Sequence, residues 1–169
     1  YINEKNTLSA YTNQSFTYGS GTGLTTVVYD DAITNRNTTQ LFGSNSNNKN
    51  QTYDMVFKHD FEKKDENLEL QFNYSHTVND ETVSNPTETY ERTNLVKGTT
   101  DYFQFNADYV NPLTESTKLE LGVETRIQNS GNSFNDINPS FASANNSFEF
   151  GRNIYSAYAN LGKQIGKWS

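Results

Sequence analysis

The stretch that decides the fold of this chain is residues 99–129, TTDYFQFNADYVNPLTESTKLELGVETRIQN. Apolar and polar side chains alternate along both halves of the stretch, and this period of two predicts strands with one apolar and one polar face. The apolar sets are Phe103, Phe105, Ala107 and Tyr109 in the first half, and Leu119, Leu121, Val123 and Ile127 in the second. Asn111 and Pro112 separate the halves, and proline lacks the N–H that a strand ladder needs. We therefore predict a hairpin that reverses between residues 111 and 117.

The arms of this hairpin are long for a soluble sheet. Each has about ten residues, which matches the 9–11 residues of a tilted membrane-spanning strand better than the five or six of soluble strands. No apolar run in the chain approaches the roughly 20 residues of a transmembrane helix. Any membrane crossing by this chain therefore has to be made by strands.

The composition fits an all-β protein with polar loops. Only 33% of the 169 residues are hydrophobic, yet 14% are aromatic, and a disordered chain would lack those aromatics. A formal net charge of -7 disfavours nucleic acid as a partner, because nucleic-acid binding depends on basic contacts to phosphate. The absence of cysteine excludes disulfides and thiolate metal sites.

The same alternation elsewhere in the chain predicts six strands that pair in sequence order. We place them at residues 7–18, 50–61, 67–78, 100–110, 117–129 and 148–162. Short turns are predicted near residues 4, 64, 114 and 166, and long loops at residues 19–49, 78–99 and 130–147. The first of these loops contains an apolar patch at 24–29, which could add one or two more strands. Short turns at one end and long loops at the other are typical of outer-membrane barrels. The predicted fold is an all-β antiparallel up-and-down meander, with residues 1–169 forming one segment of a transmembrane outer-membrane β-barrel.

Several stretches resemble a known family. Residues 108–129 and the ending NIYSAYANLGKQIGKWS (153–169) are similar to the barrel region of TonB-dependent outer-membrane receptors, specifically the outer-membrane β-barrel family common in Bacteroidota. The turn-plus-strand units NEKNTLSAYTNQ and KKDENLELQFNYS are similar to the same family, so the resemblance covers nearly the whole chain. It implies an internal portion of a barrel of about 22 strands, placed in the cell outer membrane, with a plug domain upstream.

The resemblance also implies partners. These are outer-membrane lipid, the remainder of the barrel, and a TonB-type energy-transducing protein that acts through the plug. The chain starts at Tyr1, without an initiator Met, and has no recognisable plug, TonB box or final strand that ends in an aromatic residue. We therefore expect it to be a piece of a longer protein.

Residues that suggest chemistry have simpler explanations. His59 and His76 lie at opposite ends of paired strands and do not converge on zinc, so we predict that both belong to an interfacial girdle. Glu120 and Glu124, with Arg126 next in line, are predicted to line a water-filled barrel rather than to form a catalytic carboxylate pair. The acidic pairs Asp30-Asp31 and Asp80-Glu81 lack the D-x-D-x-D-G spacing of a calcium loop. The GSGTG run at 19–23 has no following lysine or helix, as a phosphate cradle requires.

The loop aromatics are the remaining candidates. Tyr90, Phe134 and Phe141 fall in predicted loops and are our candidate ligand contacts, whereas aromatics on regular strands are expected to face lipid. We predict no catalytic residue, no metal site and no cofactor, and therefore not an enzyme.

Two hypotheses on function come from different classes. The first is a wall segment of a TonB-dependent outer-membrane receptor, whose loops capture a nutrient for uptake. The second is a soluble cell-surface β-sandwich that binds glycan or protein and uses the same alternation to build an internal core. Coordinates distinguish them, because a sandwich packs its apolar face against a second sheet.

Overall fold

The computed structural model describes residues 3–30, 35–86, 91–137 and 145–166. The strands in these ranges are β1 (Asn6–Asp30), β2 (Asn35–Asp60), β3 (Asn67–Pro86), β4 (Glu91–Thr114), β5 (Thr117–Ile137) and β6 (Asn145–Lys163). They form one sheet in the order β1-β2-β3-β4-β5-β6, and every pairing is antiparallel. The predicted all-β up-and-down meander is confirmed. In the described ranges no helix is long and apolar enough to cross a membrane.

Short reversals connect β2 to β3 and β4 to β5. In the first, the N–H of Phe61 donates to the carbonyl oxygen of Glu66 at 3.0 Å, and Asp65 has a φ of 64°. Aspartate tolerates this left-handed conformation better than most residues, because its short side chain can bond locally. The second reversal occupies only residues 115–116.

The prediction that Asn111 and Pro112 block the strand is wrong, because β4 continues to Thr114. Pro112 lies opposite Lys118 of β5, and the register shifts between Pro112 and Thr114. The β3–β4 ladder has already ended at Val110, so Pro112 is beyond the reach of β3. Proline is tolerated at bulges and at free edges, since no ladder there requires its missing N–H.

The prediction of long loops also needs correction. Every described residue within 19–49, 78–99 and 130–147 belongs to a strand. The β1–β2 register runs without a shift from the pair Asn6 and His59 to the pair Asp30 and Asn35, so the apolar patch at 24–29 is part of β1. These segments lack clear alternation because both of their faces are largely polar, but the backbone ladder does not require an apolar face to continue.

The register assigns each side chain to one of two faces. Directly paired residues share a face, and Leu68, Tyr109 and Leu121 form one such row across β3, β4 and β5. We call this the outer face, and the opposite face, which carries Glu124, the inner face. The alternation predicted for residues 99–129 is confirmed, and the outer face carries Leu68, Leu70, Phe72, Phe103, Phe105, Tyr109, Leu119, Leu121, Val123 and Ile127. The inner face carries Glu69, Gln71, Gln104, Asn106, Glu120 and Glu124.

A row of polar side chains ends the apolar part of the outer face. This polar belt consists of Gln14, Gln51, His76, Asp101 and Asn129, which are successive partners across five strands. The Gln51 amide donates to the Gln14 side-chain oxygen at 2.8 Å, and His76 Nδ1 lies 2.8 Å from Asp101 Oδ1. We call the strand residues between the short turns and the belt the band, and those beyond it the extension.

The outer face of the band is not covered by protein. Leu121 is 39% exposed, Val123 51% and Leu161 64%, and among the described residues no hydrophobic side chain is buried. The described strands form one sheet, so no second sheet within the described ranges packs against the apolar face. The arrangement therefore fits a wall that meets lipid and does not fit the core of a sandwich.

Candidate functional site

Polar side chains on the inner face of the band form a hydrogen-bonded network across β3, β4 and β5. The Asn106 amide of β4 donates to the Gln71 side-chain oxygen of β3 at 3.4 Å. The Gln104 amide donates to Glu124 Oε1 of β5 at 3.0 Å, and the Tyr102 hydroxyl donates to Gln104 Oε1 at 2.8 Å. These contacts connect neighbouring strands by side chains as well as by backbone, and they form a wettable surface.

The carboxylates of β5 belong to this network. Lys118 forms an ion pair with Glu120 at 2.5 Å, the Asn160 amide donates to Glu120 Oε2 at 2.9 Å, and Arg126 pairs with Glu124. Glu120 and Glu124 are four residues apart on one strand, which corresponds to roughly 13 Å at about 3.3 Å per residue. Paired glycosidase carboxylates lie about 5–9.5 Å apart, so the geometry is that of a charge ladder.

One glycine on the inner face leaves room for a tyrosine. Gly122 of β5 is buried, and a Cβ built there would lie 2.0 Å from Cε1 of Tyr158 on β6. The Tyr158 ring therefore crosses β5 over Gly122, and its hydroxyl donates to Asp108 Oδ1 of β4 at 2.7 Å. A single side chain thus connects three strands.

The geometry does not support a metal site at the histidines. His59 lies opposite Leu68 at the turn end of the sheet, whereas His76 lies in the polar belt, so the two are roughly 27 Å apart at about 3.3 Å per residue. Each has a local partner, since His59 Nδ1 lies 2.8 Å from Asn6 Oδ1 and His76 contacts Asp101. In the part of the chain that the structure describes, no group of three His, Asp or Glu residues is placed to hold a metal ion.

The remaining motifs are parts of strands. Asp80 lies opposite Lys97 and its neighbour Glu81 opposite Val96, so the two carboxylates point to different faces. Asp31 lies outside the described residues, and the side chain of Asp30 is not described. Residues 19–23 pair with β2 as ordinary strand and do not form a phosphate-binding turn.

Of the three predicted ligand contacts, the structure describes Phe134. Tyr90 and Phe141 lie outside the described residues. Phe134 is not in a loop, because it belongs to β5, where it lies opposite Val96 of β4 and Asn146 of β6. It is on the inner face of the extension and is 36% exposed.

Further apolar side chains join Phe134 on this surface. Phe148 and Phe150 of β6 lie opposite Asn132 and Ser130, which places both rings on the inner face. Phe148 is two residues from the direct partner of Phe134, and such diagonal neighbours are about 7–8 Å apart. We call the surface made by Val96, Phe134, Phe148 and Phe150 the aromatic shelf.

Phe148, Phe150 and the nearby Arg152 are not among the predicted site residues, although the sequence contains a signal for them. In SFEFGRN the two phenylalanines and the arginine alternate with Glu149 and Gly151. Continued from Tyr155 and Ala157, which are on the outer face, this alternation places Phe148, Phe150 and Arg152 on the inner one. The change of apolar residues from one face to the other was the available signal.

An ion pair lies near the outer end of the shelf. The Arg92 guanidinium donates two hydrogen bonds to Asp136, from Nε to Oδ1 at 2.9 Å and from a terminal nitrogen to Oδ2 at 2.7 Å. Asp136 is 6% exposed, and the guanidinium holds the pKa of its carboxyl below the ordinary value. This two-pronged geometry connects β4 to β5 where the strands extend beyond the band.

Comparison with known proteins agrees with the fold. A family model described as "Outer membrane protein beta-barrel family" matches residues 59–169. β1 and nearly all of β2 precede the matched region, although they continue the same sheet without a change of topology. A search of curated proteins gave no match.

Proposed function

Since the chain belongs to the outer membrane protein β-barrel family, we propose that it forms part of the wall of a TonB-dependent receptor of the Bacteroidota type. In this proposal the inner face lines the pore, and the extension helps to capture a nutrient outside the cell. The resemblance of residues 108–129 and 153–169 to that receptor class supports the finer assignment. Outer-membrane barrel families are typically structural or transport proteins rather than enzymes.

The observation that carries the proposal is the contrast between the two faces of the band. The outer face is apolar and uncovered, whereas the inner face carries amides, carboxylates and paired cations. A transmembrane barrel with an aqueous interior needs this division, since its outer surface meets hydrocarbon and its lumen holds water.

The two edges of the sheet require further strands to pair with them. Within the described sheet β1 and β6 each have one side without a neighbouring strand. Unpaired backbone groups are costly in lipid, and a closed barrel removes such edges. Six strands are too few to enclose a wide pore, so we propose that further strands of the same barrel pair with β1 and β6.

Transport would then proceed in two steps. A ligand binds the extension and the plug from outside, and an inner-membrane energy-transducing partner displaces the plug to open a path along the inner face. This chain contributes the wall and part of the outer binding surface. The plug and the energy-transducing contact belong to other parts of the receptor.

Conductance tests the pore wall. The full-length protein and a variant without its plug would be reconstituted in planar lipid bilayers. We expect little current from the intact receptor and large, stable channels from the plug-deleted variant. Folded plug-deleted protein that inserts without conducting would contradict a role for the inner face in lining a pore.

Binding to the energy-transducing partner tests the receptor class separately. We expect the full-length protein to bind the periplasmic domain of TonB in surface plasmon resonance, and a variant without the segment that precedes the plug to lose this binding. Conductance without TonB binding would retain the barrel wall and contradict the TonB-dependent class.

A further inference from the structure

We infer that the aromatic shelf and Arg152 together bind a small organic anion with a flat apolar body. This inference deepens the proposed function and rests on it, because it names the class of ligand that the outer surface would capture. Phe148, Phe150 and Arg152 are spaced by two residues on β6 and so share the inner face. From Phe148 to Arg152 the surface spans roughly 13 Å, at about 3.3 Å per residue.

The rings of the shelf are uncovered in a polar environment. Phe148 is 60% exposed and Phe150 43% exposed, although their direct partners on β5 are Asn132 and Ser130. They lie beyond the polar belt, so hydrocarbon does not account for them. Clustered exposed aromatic side chains at the mouth of a pore are suited to covering a planar ligand, which they would remove from water.

Arg152 supplies the charge that selects an anion. Arg126 pairs with Glu124, and Arg92 pairs with Asp136, but Arg152 makes no ion pair or side-chain hydrogen bond with any described residue. Its direct partner on β5 is the neutral Gln128, and the nearest carboxylate in sequence, Glu149, is on the outer face.

The chemistry of the ligand follows from these two elements. A guanidinium offers a planar fork of N–H donors that matches a carboxylate and binds it with two parallel hydrogen bonds. The phenyl rings contribute apolar contact area and form no directional hydrogen bonds, so they favour a ligand with a flat aromatic or alicyclic body. An apolar site with a few placed polar groups is the usual form of a small-molecule site.

Calorimetry with a matched pair of probes tests the inference on the full-length protein in detergent. The probes are 1-naphthoate and the neutral 1-naphthalenemethanol, which share the ring system and differ in charge. We expect saturable binding of naphthoate, about tenfold or more tighter than binding of the alcohol, because a charge-assisted hydrogen bond is worth about 1.5–3 kcal/mol.

Variants separate the two elements. Arg152→Gln should bring naphthoate down to the affinity of the alcohol and leave the alcohol unchanged, and Arg152→Lys should restore part of the difference. The double variant Phe148→Ala and Phe150→Ala should weaken both probes. If that variant does not fold, Phe148→Leu removes one ring, keeps an apolar side chain and should weaken both probes to a smaller extent.

Two control variants change the same residue types at positions outside the proposed site. Arg126→Gln removes an arginine that is already paired, and Phe16→Ala removes an exposed phenylalanine from the outer face of β1. Neither should change the affinity for naphthoate.

Several results would overturn the inference. Equal affinities of the two probes would do so, as would the absence of saturable binding. A lower melting temperature for Arg152→Gln with unchanged naphthoate affinity would assign the arginine to an ion pair with a neighbouring strand. Each of these results leaves the conductance and TonB-binding tests of the proposed function unaffected.

Discussion

The band and the extension are built from the same six strands in the same register, yet they use their faces in different ways. In the band the apolar side chains of β5, from Leu119 to Ile127, are on the outer face. In the extension the aromatic side chain of β5, Phe134, is on the inner face, as are Phe148 and Phe150 of β6, and no register shift occurs between the two regions. The change in the face that carries these side chains is therefore determined by the sequence and not by a change in the backbone register.

We attribute the difference to the solvent, because the ladder itself is the same in both regions. Where the outer face meets hydrocarbon, apolar side chains are required there and polar ones are required on the wet inner face. In the proposed barrel both faces meet water beyond the polar belt, so neither has to be apolar. Aromatic residues on the inner face of the extension are then free to serve binding.

The largest expected effect comes from a charge on the outer face of the band. Leu121→Arg should lower the free energy of unfolding of the full-length protein in lipid vesicles by about 2–4 kcal/mol, because the new charge would meet hydrocarbon. Phe148→Arg, at an exposed apolar position of the extension, should have little effect on stability because that side chain already meets water. Urea titration of both variants measures the difference.

Glu120→Gln is the control within the band, since it alters a neighbouring residue on the inner face and should change stability little. The comparison of the two regions fails if Leu121→Arg and Phe148→Arg are equally tolerated. It also fails if Glu120→Gln is as damaging as Leu121→Arg.

A smaller effect is expected from filling the space above Gly122. Gly122→Ala places a Cβ where the Tyr158 ring lies, and overpacking of this kind costs about 1–3 kcal/mol. The cost should be largely absent in a Tyr158→Ala background, because the ring is then gone and the Asp108 carboxylate, whose Oδ1 lies 2.6 Å from that Cβ, is released from the Tyr158 hydroxyl and can turn away. A double-mutant cycle on unfolding free energies measures this coupling, and an equal cost in both backgrounds would show that the ring does not occupy this space.

The smallest expected effect is a local dependence on pH at the ends of β4 and β5. The Arg92 guanidinium holds the pKa of Asp136 below its ordinary value of 3.8. Because the folded pKa is the lower one, the pair stabilises the folded extension above the unfolded pKa, and this contribution is lost as the pH falls through the folded pKa. Hydrogen-exchange protection at these strand ends should therefore decrease below about pH 4.

Asp136→Asn should remove most of this pH dependence and leave protection in the band unchanged. Protection at the strand ends that falls equally in the wild type and in Asp136→Asn would show that other groups are responsible.

Much of the fold was predictable because the band alternates so clearly. The face assignments from Leu68 to Ile127 depend only on a period of two and on antiparallel neighbours, and both are visible in the sequence. The ends of the strands were not predictable in the same way. Residues 43–52 are polar or glycine on both faces and so show no alternation. Backbone pairing with the adjacent strands holds them extended, and this pairing cannot be recognised from composition.

The candidate site was predicted only in part for the same reason. The sequence predicts Phe134 to lie in a loop, whereas its true position opposite Val96 depends on a register that the sequence does not display. The pairing of Arg92 with Asp136 crosses 44 residues of sequence and could not be inferred from spacing. That Arg152 has no ion-pair partner among the described residues likewise follows only from knowing where their carboxylates lie.

The most direct test of the account is the solvent contacted by adjacent residues of β5. The chain contains no cysteine, so single cysteines at positions 123 and 124 can be labelled specifically with a fluorophore in the full-length protein reconstituted in vesicles. We expect brominated lipid to quench the label at Val123 and a water-soluble quencher to quench the label at Glu124. A label at Phe148 should respond to the aqueous quencher only. Quenching of the Glu124 label by lipid, or of the Val123 label by the aqueous reagent alone, would contradict the assignment of the outer face of the band to the membrane.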